Sequence, residues 1–544
     1  MNGPRKLLPA AVFILVIAGF SSASDIYIAQ NAAGANTGAD CADAHSAGWF
    51  NSSANWGSNA GQIGPGTTVH LCGTFTGAAD STMLTFQGSG ASGQPITLLF
   101  EPGAVLQAPY WASSVGGTTA GAITLGKSRS WIIVDGGTNG LVQNTANGSS
   151  LANHAPSTGI SGFGCSNCTV QNLSIANIYV NVSGSGSLGD NSVARAIDFT
   201  GSNWTIANNT IHDCGWCVVD FYSGTSDTNE NIYGNNVYNF GHAFALAAAA
   251  TNASLSNYWL HDNHIHDTAN WSASGCPFHQ DGLHTFGTSG SSMSQIQVYN
   301  NLFDGDWGTC PTGFIFVEGG ASSTPSHMQS SAWWNNVAIV NPSSPIVNTN
   351  GWFDIASGES GTQQVYANTF IGPNNSDNTL CIGMQGLSAL SFENNTISNC
   401  GDPVGISNSA LVALDYNFYG PACGNGNNCF IWNGSFTGSF TAWKSASGGD
   451  SHGIYSTTPK LNADGSPQSG SPVIQQGADL SSLAIGSLSS ISSDTSKGDI
   501  RTPILRPSGT CSSQGNASCW DIGAYQYAAS SQLSPPTGLA AVVQ

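Results

Sequence analysis

The sequence predicts an all-β chain wound as a parallel β-solenoid, and three observations predict it. A phrase recurs eight times through the middle of the chain: an apolar residue, two variable positions, asparagine, then another apolar residue one or two places on. Strand-length runs, apolar or alternating and bounded by Gly, Ser, Asn and Thr, lie between the copies. No long segment of helical periodicity accompanies them. The phrase runs from Ile206 to Asn209, then Ile232 to Asn235, Leu260 to Asn263, Val298 to Asn301, Trp333 to Asn336, Val365 to Asn368, Phe392 to Asn395 and Leu414 to Asn417. Successive asparagines are 26, 28, 38, 35, 32, 27 and 22 residues apart. That spacing is too irregular for helical repeats and natural for coils with loops of different length. A unit of this size cannot bury its apolar face alone, so the copies must stack.

Taken in chain order, the first element is a signal peptide over 1–24. Arg5 and Lys6 precede an apolar run from Leu7 to Phe20, and Ser21-Ser22-Ala23-Ser24 supplies the small residues of a cleavage site. The mature chain is expected to begin near Asp25 and to be exported, with no membrane insertion after signal removal, because no other stretch reaches about 18 apolar residues. The solenoid strands follow, among them Ile197-Asp198-Phe199, Val218 to Phe221, Leu283 to Phe286, Phe314 to Val317 and Phe353-Asp354-Ile355. Asparagine suits a fixed turn between them, since it tolerates left-handed backbone and its amide can bond the equivalent asparagine above and below.

This pattern, over roughly residues 120 to 425, resembles the pectin lyase-like superfamily of right-handed parallel β-helices, whose coils carry an asparagine ladder at a turn. The resemblance implies a right-handed parallel β-helix of about ten or more coils over 121–430. It also implies capping strands over 25–120, such as Asp25 to Ala29 and Ile96 to Phe100. Ser471-Pro472-Val473-Ile474, followed by Asp521-Ile522-Gly523-Ala524-Tyr525-Gln526-Tyr527, is similar to the closing motif of secreted bacterial β-helix proteins of the choice-of-anchor type, with Gln526 in place of an acid. It assigns 431–528 to a closing segment. Residues 529–544 read as a linker and an incomplete fibronectin type III-like strand. Such a fold hosts lyases, hydrolases and adhesive fibres alike, so it implies an extracellular glycan as partner more firmly than a reaction.

Composition fixes the compartment. Fourteen cysteines in an exported chain most economically form disulfides, and several lie in close pairs: Cys165 with Cys168, Cys214 with Cys217, Cys423 with Cys429, Cys511 with Cys519. Zinc at the Cys-x-x-Cys pairs is disfavoured by that compartment and by the 45 residues between them. The formal charge is −20, yet only 7% of residues are charged, so the surface is mainly Ser, Thr, Asn and Gly. Nucleic acid is excluded as a partner because few cations are present to neutralise phosphates. The chain is expected to be a monomer.

The candidate site lies on the strands. Alignment of the coils places Ile197, Val219, Leu283 and Phe353 in one inward column and Asp198, Asp220, His284 and Asp354 in the next, outward one. Stacked carboxylates at Asp198 and Asp220 would share a proton or hold calcium. They are the expected acid and base or calcium ligands, with His284, Asp281 and Arg195 assisting. Strict alternation sets Arg195 and Asp281 inward with Ile197 and Leu283, so they reach the outer face only if a turn intervenes. Arg195 is the only Lys or Arg between Arg129 and Lys444, hence the candidate base or cation of a lyase. Glu318, His279, Trp271 and Trp307 are the expected substrate-binding residues. The two tryptophans lie in Gly- and Ser-rich contexts suited to stacking on sugar rings, and the insertion from about Ala269 to Gln280 would form a wall over the face. A second cluster, His261, His264 and His266, could chelate a transition metal with His279, against the plainer reading of turn-adjacent polar residues. Together these residues point to a secreted polysaccharide lyase or glycoside hydrolase, with calcium as the one candidate cofactor. The alternative is a non-catalytic glycan-binding or adhesive protein.

Overall fold

The structure is a computed structural model that describes residues 25–147, 155–180, 193–222, 226–248, 252–272, 276, 280–287, 290–318, 328–340, 351–355, 361–374, 380–424, 429–483, 491–507 and 519–527. The expected signal peptide, His279, Cys511 and the C-terminal linker lie outside the described residues. The chain is a parallel β-helix. Among the described residues its first sheet has 14 strands, with the short His45–Ser46 at the edge, Asp25–Ala29 next to it and Leu411–Asp415 at the far end. The other two faces of each coil are joined through long bent strands such as Thr210–Tyr222 and Asn236–Ala248, so they form one continuous sheet of 24 strands. Among the described residues, pairing between these strands is parallel except where Ile431–Trp432 meets Ser435–Phe436.

One coil shows how the sequence makes the corners. Thr205–Ala207 lies in the first sheet, the chain turns at Asn208 and Asn209, and Thr210–Tyr222 supplies the second and third faces with a bend at Asp213. Asn208 and Asp213 have φ of 57° and 50°, left-handed values that Asn and Asp tolerate better than most residues. The left-handed position at the first corner is the residue before the repeated asparagine: Asn208, Gly234, Asp262, Asn300, Asn335, Ala367, Asn394 and Tyr416 in successive copies.

The repeated asparagine itself points inward, and its amide works as a connector. Asn209 donates from Nδ2 to Asn235 Oδ1 at 2.9 Å, and the same bond continues through Asn263, Asn301, Asn336, Asn368 and Asn395 to Asn417. Each amide also donates to a carbonyl of the preceding coil, and each acceptor oxygen takes the backbone N–H of the preceding asparagine, as with Asn301 Nδ2 to Leu260 O and Asn263 N to Asn301 Oδ1. Buried corner groups are thereby satisfied. The stack ends on Asp450, which accepts from Asn417, Tyr419 and the Trp443 indole of the helix Phe440–Ser447.

Inside the coils a continuous column of Ile, Val, Leu and Phe forms the core, closed at the N-terminal end by Phe50 of the short helix Ala47–Asn51. Six disulfides join pairs of described residues: Cys41–Cys72, Cys165–Cys168, Cys214–Cys217, Cys276–Cys310, Cys381–Cys400 and Cys423–Cys429. Both Cys-x-x-Cys pairs are thus bridged. Beyond the last coil the chain runs back along the outside, where Asn394 bonds Ala478, Asn335 bonds Ser493 and the buried Arg506, and Ser496 bonds Asp262. No helix among the described residues is long and apolar enough to cross a membrane.

Candidate active site on the third face

Backbone pairing fixes which residues share a column on the third face. Ile197 pairs with Val218, then Phe244, Leu283, Ile315 and Phe353, all inward. The next column, Asp198, Val219, Ala245, His284, Phe316 and Asp354, is outward. The column after that, Phe199, Asp220, Leu246, Thr285 and Val317, is inward again. Asp220 is therefore out of register with Asp198 by one residue, and because side chains alternate, it points into the core. The expected stack of Asp198 on Asp220, and the calcium site built on it, is replaced by two carboxylates on opposite sides of the wall.

Arg195 and Asp281 move the other way. Arg195, Trp216, His242 and Asp281 share a column that lies outward, separated from the Asp198–His284 column by two consecutive inward residues instead of one. These inward pairs are Ala196–Ile197, Cys217–Val218, Ala243–Phe244 and Gly282–Leu283. At Gly282 a Cβ would lie 2.8 Å from the Phe303 ring and 2.5 Å from the Phe314 carbonyl, so only glycine lets this stretch press into the core. The irregularity overrides strict alternation and puts Asp281 and His284 on one outer face.

Three side chains from two adjoining coils converge there. His242 Nε2 lies 3.1 Å from His284 Nδ1 and 3.3 Å from Asp281 Oδ2, and His284 Nδ1 lies 3.7 Å from that same oxygen. On the other side of the ring, His284 Nε2 faces Glu318 Oε2 at 3.2 Å. His242 and Asp281 are fully buried, whereas the Glu318 side chain is 51% exposed and forms the rim. Aromatic residues line the cluster: Trp216 tilts over His242 at 4.8 Å between centroids, and Phe286 and Phe316 flank His284 at 4.9 and 5.2 Å. Trp216, Val219 and Ala245 form an apolar patch outside the main core.

Arg195 and Asp198 sit lower on the same face. Arg195 Nη1 donates to Asp198 Oδ1 at 3.1 Å, Ser114 Oγ donates to Asp198 Oδ2, and the guanidinium lies over the Phe221 ring. Asp198 and His284 stand three coils apart, roughly 14 Å at the interstrand spacing. They do not meet. Higher up, burial pushes the Asp354 carboxyl up to about 8.

Two expected sugar platforms are corrected by their surroundings. Trp307 is buried in the core against Phe240, Phe314 and Trp352, and Trp271 is buried edge-on against Tyr179. Gly305 and Gly308, at φ of 80° and 67°, form the turn that carries Trp307 inward. In the second histidine cluster His264 and His266 do share a face, stacked at 4.2 Å, but among the described residues they join no group of three metal-ligating atoms. His266 stacks on Tyr238 at 5.1 Å, His264 bonds Asp304, and His261 lies in an outer ring column between Tyr233 and Tyr299.

His242 escaped sequence reasoning, although a signal was there. It lies seven residues after the ladder residue Asn235, as Trp216 does after Asn209. Counting from the ladder places both in the Arg195 column.

No family model matches the chain, and no curated protein matches it. Several solved structures are similar in the course of the chain. The pectate lyase Pel9A is 12% identical, with 93% of this chain and 97% of that one covered at a TM-score of 0.35. A Yersinia enterocolitica family 28 exopolygalacturonase is 11% identical, with 68% and 72% covered and a TM-score of 0.35. The tailspike protein of E. coli bacteriophage HK620, solved with a pentasaccharide, is 11% identical over the same shares at a TM-score of 0.36. Such identities carry no residue role across.

Proposed function

We propose that this protein is a secreted enzyme that cleaves an extracellular polysaccharide along the third face, with His242, Asp281 and His284 at the reacting centre. The observation that carries this reading is their convergence: two imidazoles and a carboxylate within 3.7 Å, buried together on an outward face. Clustered titratable groups in a low-dielectric recess are the usual mark of a site, because burial sharpens every electrostatic interaction there. Phe286, half-buried beside His284, offers apolar surface for the face of a sugar ring, while the buried Trp216 and Phe316 pack the cluster. The parallel coils repeat at about 4.8 Å, close to the length of one sugar unit, so a glycan lying along the helix would meet one coil per residue.

Within this reading Arg195 and Asp198 hold the chain at a subsite about three coils from His284, and Glu318 fixes the His284 ring from the rim. Asp198 is removed from the acid and base roles first considered for it, since hydrolysis by paired carboxyls requires them about 5 to 9.5 Å apart across the bond. Asp220 is removed because it faces the core.

The test is a screen of the mature protein against neutral and uronic polysaccharides, following unsaturated products by absorbance and new reducing ends together. Either signal, lost in His284→Ala, supports cleavage, with absorbance marking elimination and reducing ends alone marking hydrolysis. Retention on a glycan column without either signal would establish a binding protein in its place.

A further inference from the structure

We propose that His242, Asp281 and His284 form a mononuclear centre for a divalent first-row transition ion of the zinc class. The inference deepens the cleavage reading and rests on it for the centre's place in a reaction. The argument for the ion itself is geometric. Three atoms of different side chains, His242 Nε2, His284 Nδ1 and Asp281 Oδ2, form a triangle with sides of 3.1, 3.3 and 3.7 Å. The circle through three such points has a radius of about 2.0 Å, the bond length of zinc to imidazole nitrogen or carboxylate oxygen. One ion near the centre of that triangle reaches all three atoms at bonding distance with no side chain moved.

The surroundings fit a bound cation. The donor set, two imidazoles and one carboxylate, suits zinc-class ions better than calcium, which takes six to eight oxygens. His284 binds through Nδ1 and turns Nε2 to the Glu318 carboxylate, the outer partner that fixes the ring and raises the basicity of the ligand nitrogen. All three ligands come from rigid strands: His242 from Asn236–Ala248, Asp281 and His284 from Asp281–Gly287. The Gly282 depression brings the last two to the same side. Three protein ligands leave a coordination position for water or a sugar oxygen, the pattern of catalytic rather than structural zinc. There the ion would polarise a substrate oxygen or lower the pKa of its water.

The experiment uses untagged full-length protein stripped with a chelator, then titrated with Co²⁺ under visible absorption and with Zn²⁺ as the displacing ion, with metal per protein measured on the dialysed product. One equivalent of Co²⁺, displaced by one of Zn²⁺, is expected. Affinity should fall at least a hundredfold in His242→Ala and Asp281→Asn, and ten- to a hundredfold in Glu318→Gln. It should be unchanged in Asp220→Asn, which alters only the interior. Folded wild-type protein that takes up less than about a tenth of an equivalent overturns the inference, and so does equal uptake by wild type and His242→Ala; if the variants do not fold, the wild-type titration decides alone. Full uptake without polysaccharide cleavage sinks the cleavage reading and leaves the metal centre standing. Cleavage by protein that takes no metal does the reverse.

Discussion

Two polar clusters occupy the middle coils, one outside the third face and one in the interior between it and the first sheet. Outside, His242, Asp281 and His284 converge under aromatic cover. Inside, Asp220, Asp227 and Glu230 stand at positions that neighbouring coils fill with Leu246, Leu255, Tyr258 and Ile296. The inner acids accept protein donors: Tyr258 Oη–H to Asp220, Gly201 N–H to Asp227 at 2.8 Å and Trp204 N–H to Glu230 at 2.9 Å. Burial pushes Asp220 and Glu230 well above the usual carboxylate range, with acid neighbours adding to it, and pushes Asp227 up to about 6. The lesson is that a polar residue in an apolar strand is not a site by its type. The inner acids accept hydrogen bonds from the fold around them, while the outer groups converge on one another behind the half-exposed Glu318.

The sharpest way to break this comparison is to remove one member of each cluster and measure the same reaction. His284→Ala is expected to lower turnover of the cleaved polysaccharide by about 10²- to 10⁴-fold, the range for a lost acid–base or ligand group, with little change in melting temperature. Asp220→Asn should leave turnover within about twofold. Equal losses in the two variants would make the inner acids part of the reaction and erase the distinction.

The interior holds a second polar population, the asparagine ladder, which differs from the acids in being satisfied neutral to neutral. Asn301→Ala deletes the donor to Leu260 O and to Asn336 Oδ1 and the acceptor for Asn263 N and Nδ2. Orphaned buried groups cost roughly 1 kcal/mol or more each, so a loss of about 3 kcal/mol in denaturant unfolding is expected. A loss below about 1 kcal/mol would show that water replaces the amide at the corner.

How much of this was legible follows from the same register. The solenoid could be read because its period is carried by residues whose burial is obligatory, from Ile206 and Ile232 to Leu414 with the asparagine three places on. The outer site could be read only in part. Asp281 and His284 were named, but Val218-Val219-Asp220-Phe221 offers two alignments to Ile197-Asp198-Phe199, and local pattern does not choose between them. The choice is made by backbone pairing with neighbouring coils, a long-range fact. The double inward step at Ala196–Ile197 and Gly282–Leu283 breaks the period of two that strand reading relies on. Trp307 misleads for a related reason, since Gly305 and Gly308 beside it mark a turn and not exposure.

The interior acids also carry a pH signature. Asp227 has a folded pKa of about 6 against an ordinary value near 3.8, so the folded state binds the extra proton between those values. Its stabilising effect is complete below about pH 4 and is lost as pH rises toward 6 and beyond. Asp227→Asn keeps an acceptor for Gly201 N–H and removes the titration. The variant should therefore match wild type near pH 4 and exceed it by about 2–3 kcal/mol at pH 7, read from urea midpoints at both values. A constant difference across that range would mean that Asp227 is ionised in the fold.

The smallest expected effect lies at the rim and tests where the outer cluster ends. Glu318 reaches the centre through His284 Nε2, at 3.2 Å, and half of its side chain is in solvent. Its attraction for the imidazole is screened there, so the pair contributes little to stability, and Glu318→Gln should leave the unfolding midpoint where it is. The glutamine oxygen can still accept from the ring nitrogen. What is lost is the charge that holds the proton on Nε2 and keeps Nδ1 turned toward His242 and Asp281. Turnover should fall by less than about tenfold, with KM unchanged, because the residue acts on the ring and not on the sugar. A loss as large as that of His284→Ala would place Glu318 at the reacting atoms, and a rise in KM with constant kcat would place it against the glycan.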